Sequence, residues 1–317
     1  MVVILYRIFQ ATRRNSLVMT RKGIKKSKEE PTMSEKRIIT AALTGALSPK
    51  AVNPNVPVTP EEIAEDAYKC YQAGAAIVHL HMRDENDQAC SDVELFRESQ
   101  RLIREKCDVI INMTTTGSTK DSASVEEAMF DARIAPVIEL EPEMCSYDAA
   151  SFNWMSAKPW AFQNPPAFLE KLNRACIEHN CKPEIEIFNP GMFGVIKWYT
   201  DRDLLPGPCH FQYVLGVQGG LPATPKSVFE LESYRKEMFP DSTWSAFGIS
   251  QGNLPCIFTA LALGGGVRVG LEDTGYYSKG VLADNEMLVQ RAARIIREFG
   301  CEPATPDEAR AMLSMKR

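Results

Sequence analysis

Short apolar runs alternate with longer amphipathic segments from residue 37 to the C-terminus. Apolar runs of about five to seven residues are typical of buried strands, and the segments between them have the 3.6-residue period of helices. This alternation implies parallel strand–helix–strand units. The predicted strands are Arg37–Leu43, Ala76–His81, Val109–Met113, Pro136–Leu140, Pro183–Ile187, His210–Leu215, Trp244–Ile249 and Gly266–Gly270.

A predicted helix follows each strand. The first has signals at both ends, since Thr59 is an N-cap residue, Pro60 suits the first helical position and Gly74 suits the stop. The helices cover residues 60–74, 92–106, 124–132, 166–180, 191–202, 226–239, 254–263 and 281–299, with a short one at 303–315. Eight such units predict an α/β fold of the (β/α)8 TIM-barrel type. A doubly wound open sheet is the alternative, but no G-x-G-x-x-G follows the first strand.

Candidate chemistry begins at the end of the second strand, with His79 and His81. Side chains at i and i+2 of a strand point to the same face, so the two imidazoles converge as two ligands of a divalent metal must. The chain has only four histidines, and two of them lie here. A hydrogen-bonded polar pair at a strand end is the alternative for this motif taken alone.

Other strand ends are also polar, and in a TIM barrel these ends form the active site. Arg268, Gly270 and Glu272 have the same parity and can face inward together, so Glu272 is a candidate third metal ligand. Thr114–Thr116 precede Gly117, whose backbone could turn toward a ligand, although threonines also fill strands. The remaining acids at predicted strand ends are Glu139, Glu141, Glu184 and Glu186, and a buried ion pair is the alternative for the last two.

Charge and cysteine content narrow the function. Residues 1–28 contain eight basic residues and no acid, and the rest of the chain has 28 basic and 41 acidic residues. An acidic core argues against nucleic-acid binding, which needs a basic surface. The nine cysteines occur singly without C-x-x-C spacing, which suits reduced thiols in the cytoplasm. No apolar run reaches membrane-spanning length, so we expect no membrane partner.

The first 32 residues differ in composition from the rest. Met33 leads directly into the first strand, so we interpret residues 1–32 as an extension outside the fold and residues 33–317 as a single catalytic domain. A transit peptide is the alternative for the basic stretch.

Several segments, in this order and spacing, resemble the β-keto acid cleavage enzymes, typified by 3-keto-5-aminohexanoate cleavage enzyme. The resemblance extends from about Lys36 to the C-terminus. The segments are Thr40–Ala46, Pro57–Glu62, Gly74–His81, Pro142–Met144, Val214–Gly220 and Gly270–Asp273.

The resemblance implies a TIM barrel that binds Zn²⁺ and condenses a β-keto acid with acetyl-CoA, giving acetoacetate and a new acyl-CoA. The zinc ligands fall on His79, His81 and Glu272, and the catalytic arginine and aspartate fall on Arg268 and Asp273. Asp273, held by Arg268, would be the general base, and Thr114 with amides near Gly117 could stabilise oxyanion charge. The implied substrate contacts are Thr114, Gly117, Ser151 and Asn153, to which we add Glu186.

Two departures from the type enzyme matter for the substrate. Leu47 replaces a glutamate that recognises the substrate's amino group, so we expect a neutral or apolar β-keto acid. Gln251 and Asn253 stand where the type enzyme has an arginine and a histidine, which puts that arginine's ligand contact in doubt. Thr114 also stands in place of a serine.

The family analogy further implies a homo-oligomer, a tetramer. The aromatic-rich segment 144–166 would suit an interface or a lid. Two other functions stay open: a zinc-dependent TIM-barrel lyase or hydrolase that activates water, and a non-catalytic metal-binding barrel. Dependence on acetyl-CoA distinguishes them from the transferase.

Overall fold

Eight parallel strands form a closed barrel in the computed structural model, which describes residues 34–155, 158–205 and 207–315. Each strand pairs with the next along the chain, and the eighth pairs with the first through Val267 and Ile39. The TIM-barrel prediction is therefore confirmed. The strands are β1 Ile39–Ala42, β2 Ile77–Leu80, β3 Ile110–Met113, β4 Met144–Asp148, β5 Lys182–Ile187, β6 His210–Leu215, β7 Thr243–Gly248 and β8 Gly266–Val269.

Helices surround the barrel, and most begin where the sequence predicts. Thr59 caps the first one in a capping box with Glu62, and left-handed Gly74 ends it. The longer helices are α1 Pro60–Ala73, α2 Val93–Lys106, α3 Glu127–Leu140, α4 Pro166–Glu178, α5 Gly191–Thr200, α6 Pro225–Met238, α7 Asn253–Leu263, α8 Asn285–Glu298 and α9 Pro306–Met312. A four-residue helix, Thr119–Ser122, precedes α3.

The predicted fourth strand, Pro136–Leu140, is wrong because those residues form the end of helix α3. The fourth strand is β4, Met144–Asp148, which pairs with β3 and β5. Consequently Glu139 and Glu141 do not lie at a strand end. Both side chains are at least half exposed, outside the barrel.

The amino-terminal end of the barrel is closed by the chain's last helix. Ala309 and Leu313 pack against a buried group from the strand starts that includes Ile38, Ile110 and Met144. Lys36–Arg37 also pairs in parallel with Glu302–Pro303. This closure leaves the opposite, carboxyl-terminal end of the barrel as the open one.

The predicted extension, residues 1–32, lies outside the described residues. Among the residues that are described, no helix is long and apolar enough to span a membrane.

Candidate active site and metal centre

Three potential metal ligands converge at the carboxyl-terminal end of the barrel. His79 is on β2, His81 follows it, and Glu272 lies in the turn after β8. The Nε2 atom of His79 is 3.7 Å from Glu272 Oε2, and that of His81 is 3.6 Å from Glu272 Oε1. One candidate ligand atom from each residue lies within 4.8 Å of the others. The structure therefore brings together the three residues predicted as metal ligands.

The chemistry of these three residues fits a divalent cation. Glu272 Oε2 is buried without a hydrogen-bond partner among the described residues, although it faces an imidazole nitrogen. Burial lowers the pKa of His79 to about 3, which keeps this imidazole neutral and its lone pair available. Burial opposes ionisation of Glu272, but its charged surroundings, Arg268 first among them, outweigh burial and hold the pKa of Glu272 well below the usual range. Two histidines and a carboxylate are a common metal-binding set.

Arg268, on β8, connects the candidate metal ligands to the other acids. Its Nε and Nη2 donate to the two carboxylate oxygens of Asp273 at 3.0 Å each, and Nη2 also donates to Glu272 Oε1 at 2.6 Å. Its guanidinium lies 4.3 Å from the centre of the Phe247 ring. The two hydrogen bonds from Arg268 fix the orientation of the Asp273 carboxylate, as a catalytic base requires.

Asp273 has the properties of a general base. Burial raises its pKa to about 6, although the neighbouring Arg268 acts in the opposite direction. A carboxylate with such a pKa is ionised at neutral pH and is more basic than an exposed aspartate. The carboxylate also lines the cavity that contains the candidate metal ligands.

A second pair of acids extends the site across the barrel. Glu186 on β5 and Asp148 on β4 occupy paired positions in the parallel register, and both line the cavity. Burial raises the pKa of Glu186 well above its usual value, and repulsion from the neighbouring Asp148 carboxylate raises it further. Burial also raises the pKa of Asp148. Arg268 Nη1 lies 3.4 Å from Glu186 Oε1. Asp148 was missed in the sequence because β4 was placed too early in the chain.

A cavity of about 380 Å³ opens above these groups. Thr114 and Gly117 line it, as does Leu47, whose side chain is 56% exposed at the rim. Thr114 Oγ1 accepts a hydrogen bond from the Thr116 amide at 3.1 Å. Gly117 has φ +68°, and a Cβ there would lie 2.6 Å from Ser91 Oγ, so both its backbone angle and its surroundings favour glycine.

The loop after β4 places its aromatic residues, rather than Ser151 and Asn153, against the cavity. Strands Phe152–Trp154 and Trp160–Phe162 form an antiparallel hairpin, in which Trp154 and Trp160 stack at 5.9 Å. Both tryptophans and Phe162 line the cavity. The Ser151 and Asn153 side chains are exposed and lie outside its lining, and Ser151 Oγ accepts a hydrogen bond from the Asn164 amide.

The departure at Gln251 and Asn253 lies beside Arg268. Gln251 is exposed in a short 3-10 helix after β7. Asn253 is buried, and its Nδ2 is 3.5 Å from the Arg268 carbonyl. Ser250, just before them, has φ +54° and lines the cavity, and its amide donates to the Asp273 carbonyl. This loop therefore supports the backbone that carries Arg268 and Asp273.

A parallel barrel with two histidines, a glutamate and an oriented arginine–aspartate pair at its open end defines a candidate metal-dependent enzyme of the TIM-barrel class. The sequence pattern of the beta-keto acid cleavage enzyme family matches residues 36–315. The chain belongs to this family.

Two curated relatives align with this chain over nearly their whole length. The 3-keto-5-aminohexanoate cleavage enzyme of Fusobacterium nucleatum is 39% identical over 287 residues, which is 90% of this chain and 100% of the relative. The 3-dehydrocarnitine:acetyl-CoA trimethylamine transferase of Rhizobium meliloti is 32% identical over 297 residues, 89% of this chain and 98% of the relative.

Among solved structures, the apo form of ObcA superposes with a TM-score of 0.71 over 83% of this chain and 66% of that chain. At 21% identity this likeness bears on the fold alone.

Proposed function

We propose that this protein transfers the acyl group of a β-keto acid to CoA, using acetyl-CoA as co-substrate and releasing acetoacetate. One observation carries the proposal: the His79, His81 and Glu272 group shares a single cavity with the Arg268–Asp273 pair in a member of this family. The name of the Rhizobium relative includes acetyl-CoA, which supports the same co-substrate here.

The chain's own residues suggest how the reaction would proceed. Asp273, oriented by Arg268, removes a proton from the α-carbon between the keto and carboxylate groups. The carbanion attacks the acetyl-CoA carbonyl, and the CoA thiolate leaves. The thiolate then adds to the substrate's original keto carbon, and cleavage of the adjacent carbon–carbon bond gives the new acyl-CoA. Acetoacetate takes back the proton at its α-carbon, so atoms and electrons balance.

Charge that develops on oxygen during these steps requires hydrogen-bond donors in the cavity. Thr114 can donate its hydroxyl proton, and the turn at Gly117 brings backbone close to the cavity. Arg268 adds a fixed positive charge from the barrel wall. The metal that we propose is Zn²⁺, held by His79, His81 and Glu272, and when bound it would supply Lewis acidity to the keto group.

The rim and wall of the cavity favour a neutral or apolar substrate tail. Leu47 lies at the rim, and Trp154, Trp160, Phe162 and Phe188 provide aromatic surface. A tail buried against such a wall gains about 25 cal/mol per Å² of apolar area removed from water. We therefore propose that an acyl tail without a charged amino group is preferred over that of 3-keto-5-aminohexanoate.

Acetyl-CoA dependence is the decisive experiment. A panel of β-keto acids with apolar, carboxylate and ammonium tails is incubated with and without acetyl-CoA, and acyl-CoA and acetoacetate are measured by mass spectrometry. We expect the two products in equal amounts and only when acetyl-CoA is present. Consumption of a β-keto acid without acetyl-CoA would instead favour a lyase or hydrolase.

Two kinds of variant separate the proposed roles. His79→Ala and His81→Ala should lose zinc, measured by elemental analysis, and near-full occupancy in both would contradict the ligand assignment. Asp273→Asn should keep its zinc but lose about 10²–10⁴-fold in turnover, the range for a general base. Unchanged turnover in Asp273→Asn would remove this residue from the base role.

We also propose a homotetramer in the cytoplasm. The neighbouring helices α5, α6 and α7 carry exposed Trp198, Phe229 and Phe258, and exposed apolar groups of this kind suit a subunit interface. All nine cysteines lie in the described part of the chain and are free thiols, which suits a reducing compartment. A monomeric mass by light scattering at micromolar concentration would contradict the oligomer.

A further inference from the structure

Three cysteines from different structural elements meet between the barrel and its helices. Cys145 lies on β4, Cys176 in the last turn of α4, and Cys181 just before β5. One sulfur from each lies within 4.8 Å of the others, and the Cys145 and Cys176 sulfurs are 3.6 Å apart. All three residues are at least 97% buried. The structure therefore brings together three thiols whose spacing in the sequence does not predict a cluster.

This cluster is separate from the candidate active site. Ser146 and Asp148 line the cavity from one face of β4, and strand alternation places Cys145 on the other face, toward α4. Cys145 and Cys181 also lie near the amino-terminal ends of their strands, whereas the cavity lies at the carboxyl-terminal ends. A ligand of the thiols would therefore leave the catalytic cavity unobstructed.

We propose that Cys145, Cys176 and Cys181 form a second metal site, for a soft thiophilic ion such as Cu(I). With metal–sulfur distances of about 2.3 Å, three sulfurs around one ion lie about 4 Å apart. The observed distances between the three sulfur atoms would each change by less than an ångström to reach this value. Among the described residues, this group contains three ligands and no fourth, which suits a three-coordinate soft ion better than the four-coordinate structural zinc.

Thiolate is the form that binds metal, so the three thiols would release their protons as the ion enters.

Polar groups near the cluster could stabilise the bound thiolates. The Tyr147 hydroxyl and the Asn173 amide are buried close to each other, and neither makes a hydrogen bond of ordinary geometry within the described residues. Tyr147 lies two residues from Cys145 on the same face of β4, and Asn173 lies about one helical turn before Cys176. Donors of this kind commonly support metal-bound thiolates from outside the ligand set. A bound ion would join α4 to β4 and β5 at one point.

Metal titration of the full-length protein tests the proposal. Reduced, oxygen-free protein is titrated with Cu(I) against a chromogenic competing chelator, and sulfur-to-copper charge-transfer absorption is recorded. Wild type should bind one thiolate-ligated Cu(I) per chain, and Cys176→Ser should lose the absorption. The matched control is Cys256→Ser, since Cys256 is equally buried on α7 but outside the cluster, and it should behave like wild type.

X-ray absorption on the wild-type protein keeps the proposal testable even if Cys176→Ser fails to fold. Three sulfur neighbours around copper support the site, and two or fewer overturn it. Charge-transfer absorption that persists unchanged in folded Cys176→Ser would also overturn it. Binding of copper at the catalytic histidines gives no sulfur neighbours, so it is distinguished from the proposed site.

Discussion

Leu47 is the residue where substrate choice can be tested most directly. Its side chain is 56% exposed at the cavity rim, so a charge placed there would be screened by water. An exposed ion pair contributes about 0–1 kcal/mol, much less than a desolvated one. We therefore predict that Leu47→Glu shifts the ratio of kcat/KM for ammonium-tailed over apolar substrates by about fivefold, without changing zinc content. Steady-state kinetics on matched substrates measure this ratio.

The control for this substitution is Leu47→Gln, which changes polarity without adding charge and should leave the ratio near the wild-type value. A wild-type enzyme that already prefers 3-keto-5-aminohexanoate would show that Leu47 does not select the substrate.

Glu184 contributes to the pH dependence of stability from inside the barrel. Asn112 Nδ2 donates to Glu184 Oε2 at 2.7 Å, and burial raises the pKa of Glu184 to about 7, compared with an ordinary value of 4.5. Between these values the folded state holds the proton and the unfolded state does not, so the contribution of Glu184 to stability falls as pH rises. Above pH 7 the loss amounts to about 3 kcal/mol.

We predict that Glu184→Gln gains stability relative to wild type as pH rises from about 4.5 to 7, with a constant difference above that. Urea unfolding across this pH range measures the free energy of unfolding of both proteins. The other titrating groups are the same in the two proteins, so their contributions cancel in the difference. Exposed Glu139→Gln controls for the loss of one acid. A difference for Glu184→Gln that does not vary with pH would refute the assignment.

Strand β4 is the element at which sequence and structure disagree, and this disagreement can be tested. The structure places Asp148 beside Glu186 in the cavity and Glu141 on the exposed surface. Asp148→Ala removes the partner of Glu186 and should lower kcat/KM at least tenfold. Glu141→Gln should change it less than twofold. Steady-state kinetics distinguish the two, and equal effects would contradict this placement of the strand.

The reason for the misplaced strand is physical. The apolar pair Val137–Ile138 resembles a buried strand, but it continues a 14-residue helix that contains Pro136. The actual strand alternates polar and apolar residues, a pattern typical of a half-exposed strand. All its residues are nevertheless buried, because Ser146 and Asp148 face the enclosed cavity and Cys145 and Tyr147 face α4. Because polar residues line the cavity, the sequence pattern does not show that the whole strand is buried.

Other elements were predictable because their signals are local. Strand β6 has the predicted bounds, His210–Leu215, and helix α1 begins at the predicted N-cap. His79 and His81 could be placed together because strand geometry fixes i and i+2 neighbours. In contrast, the thiol cluster joins residues 145, 176 and 181 through packing of three elements, which no local pattern encodes.

At the scale of the whole molecule, the described barrel begins at Ser34 and closes on itself. Strand β8 pairs with β1, and Lys36–Arg37 pairs with Glu302–Pro303 near the C-terminus. We predict that a chain beginning at Met33 melts within about 2 °C of the full-length protein and has the same turnover. Differential scanning calorimetry and product assays on both proteins provide the test. Loss of folding in the shorter protein would show that residues 1–32 contribute to the fold.

The exposure of Leu47 above the buried Arg268 has a practical consequence for enzyme engineering. Libraries that vary Leu47, Met155 and Gln218 would alter loops that follow different strands at the entrance, while the inward-facing side chains of the barrel keep their sequence. Because Leu47 and Met155 are exposed, most replacements there should change stability by less than about 0.5 kcal/mol. Such a library can be screened for new acyl groups with little loss of folded protein.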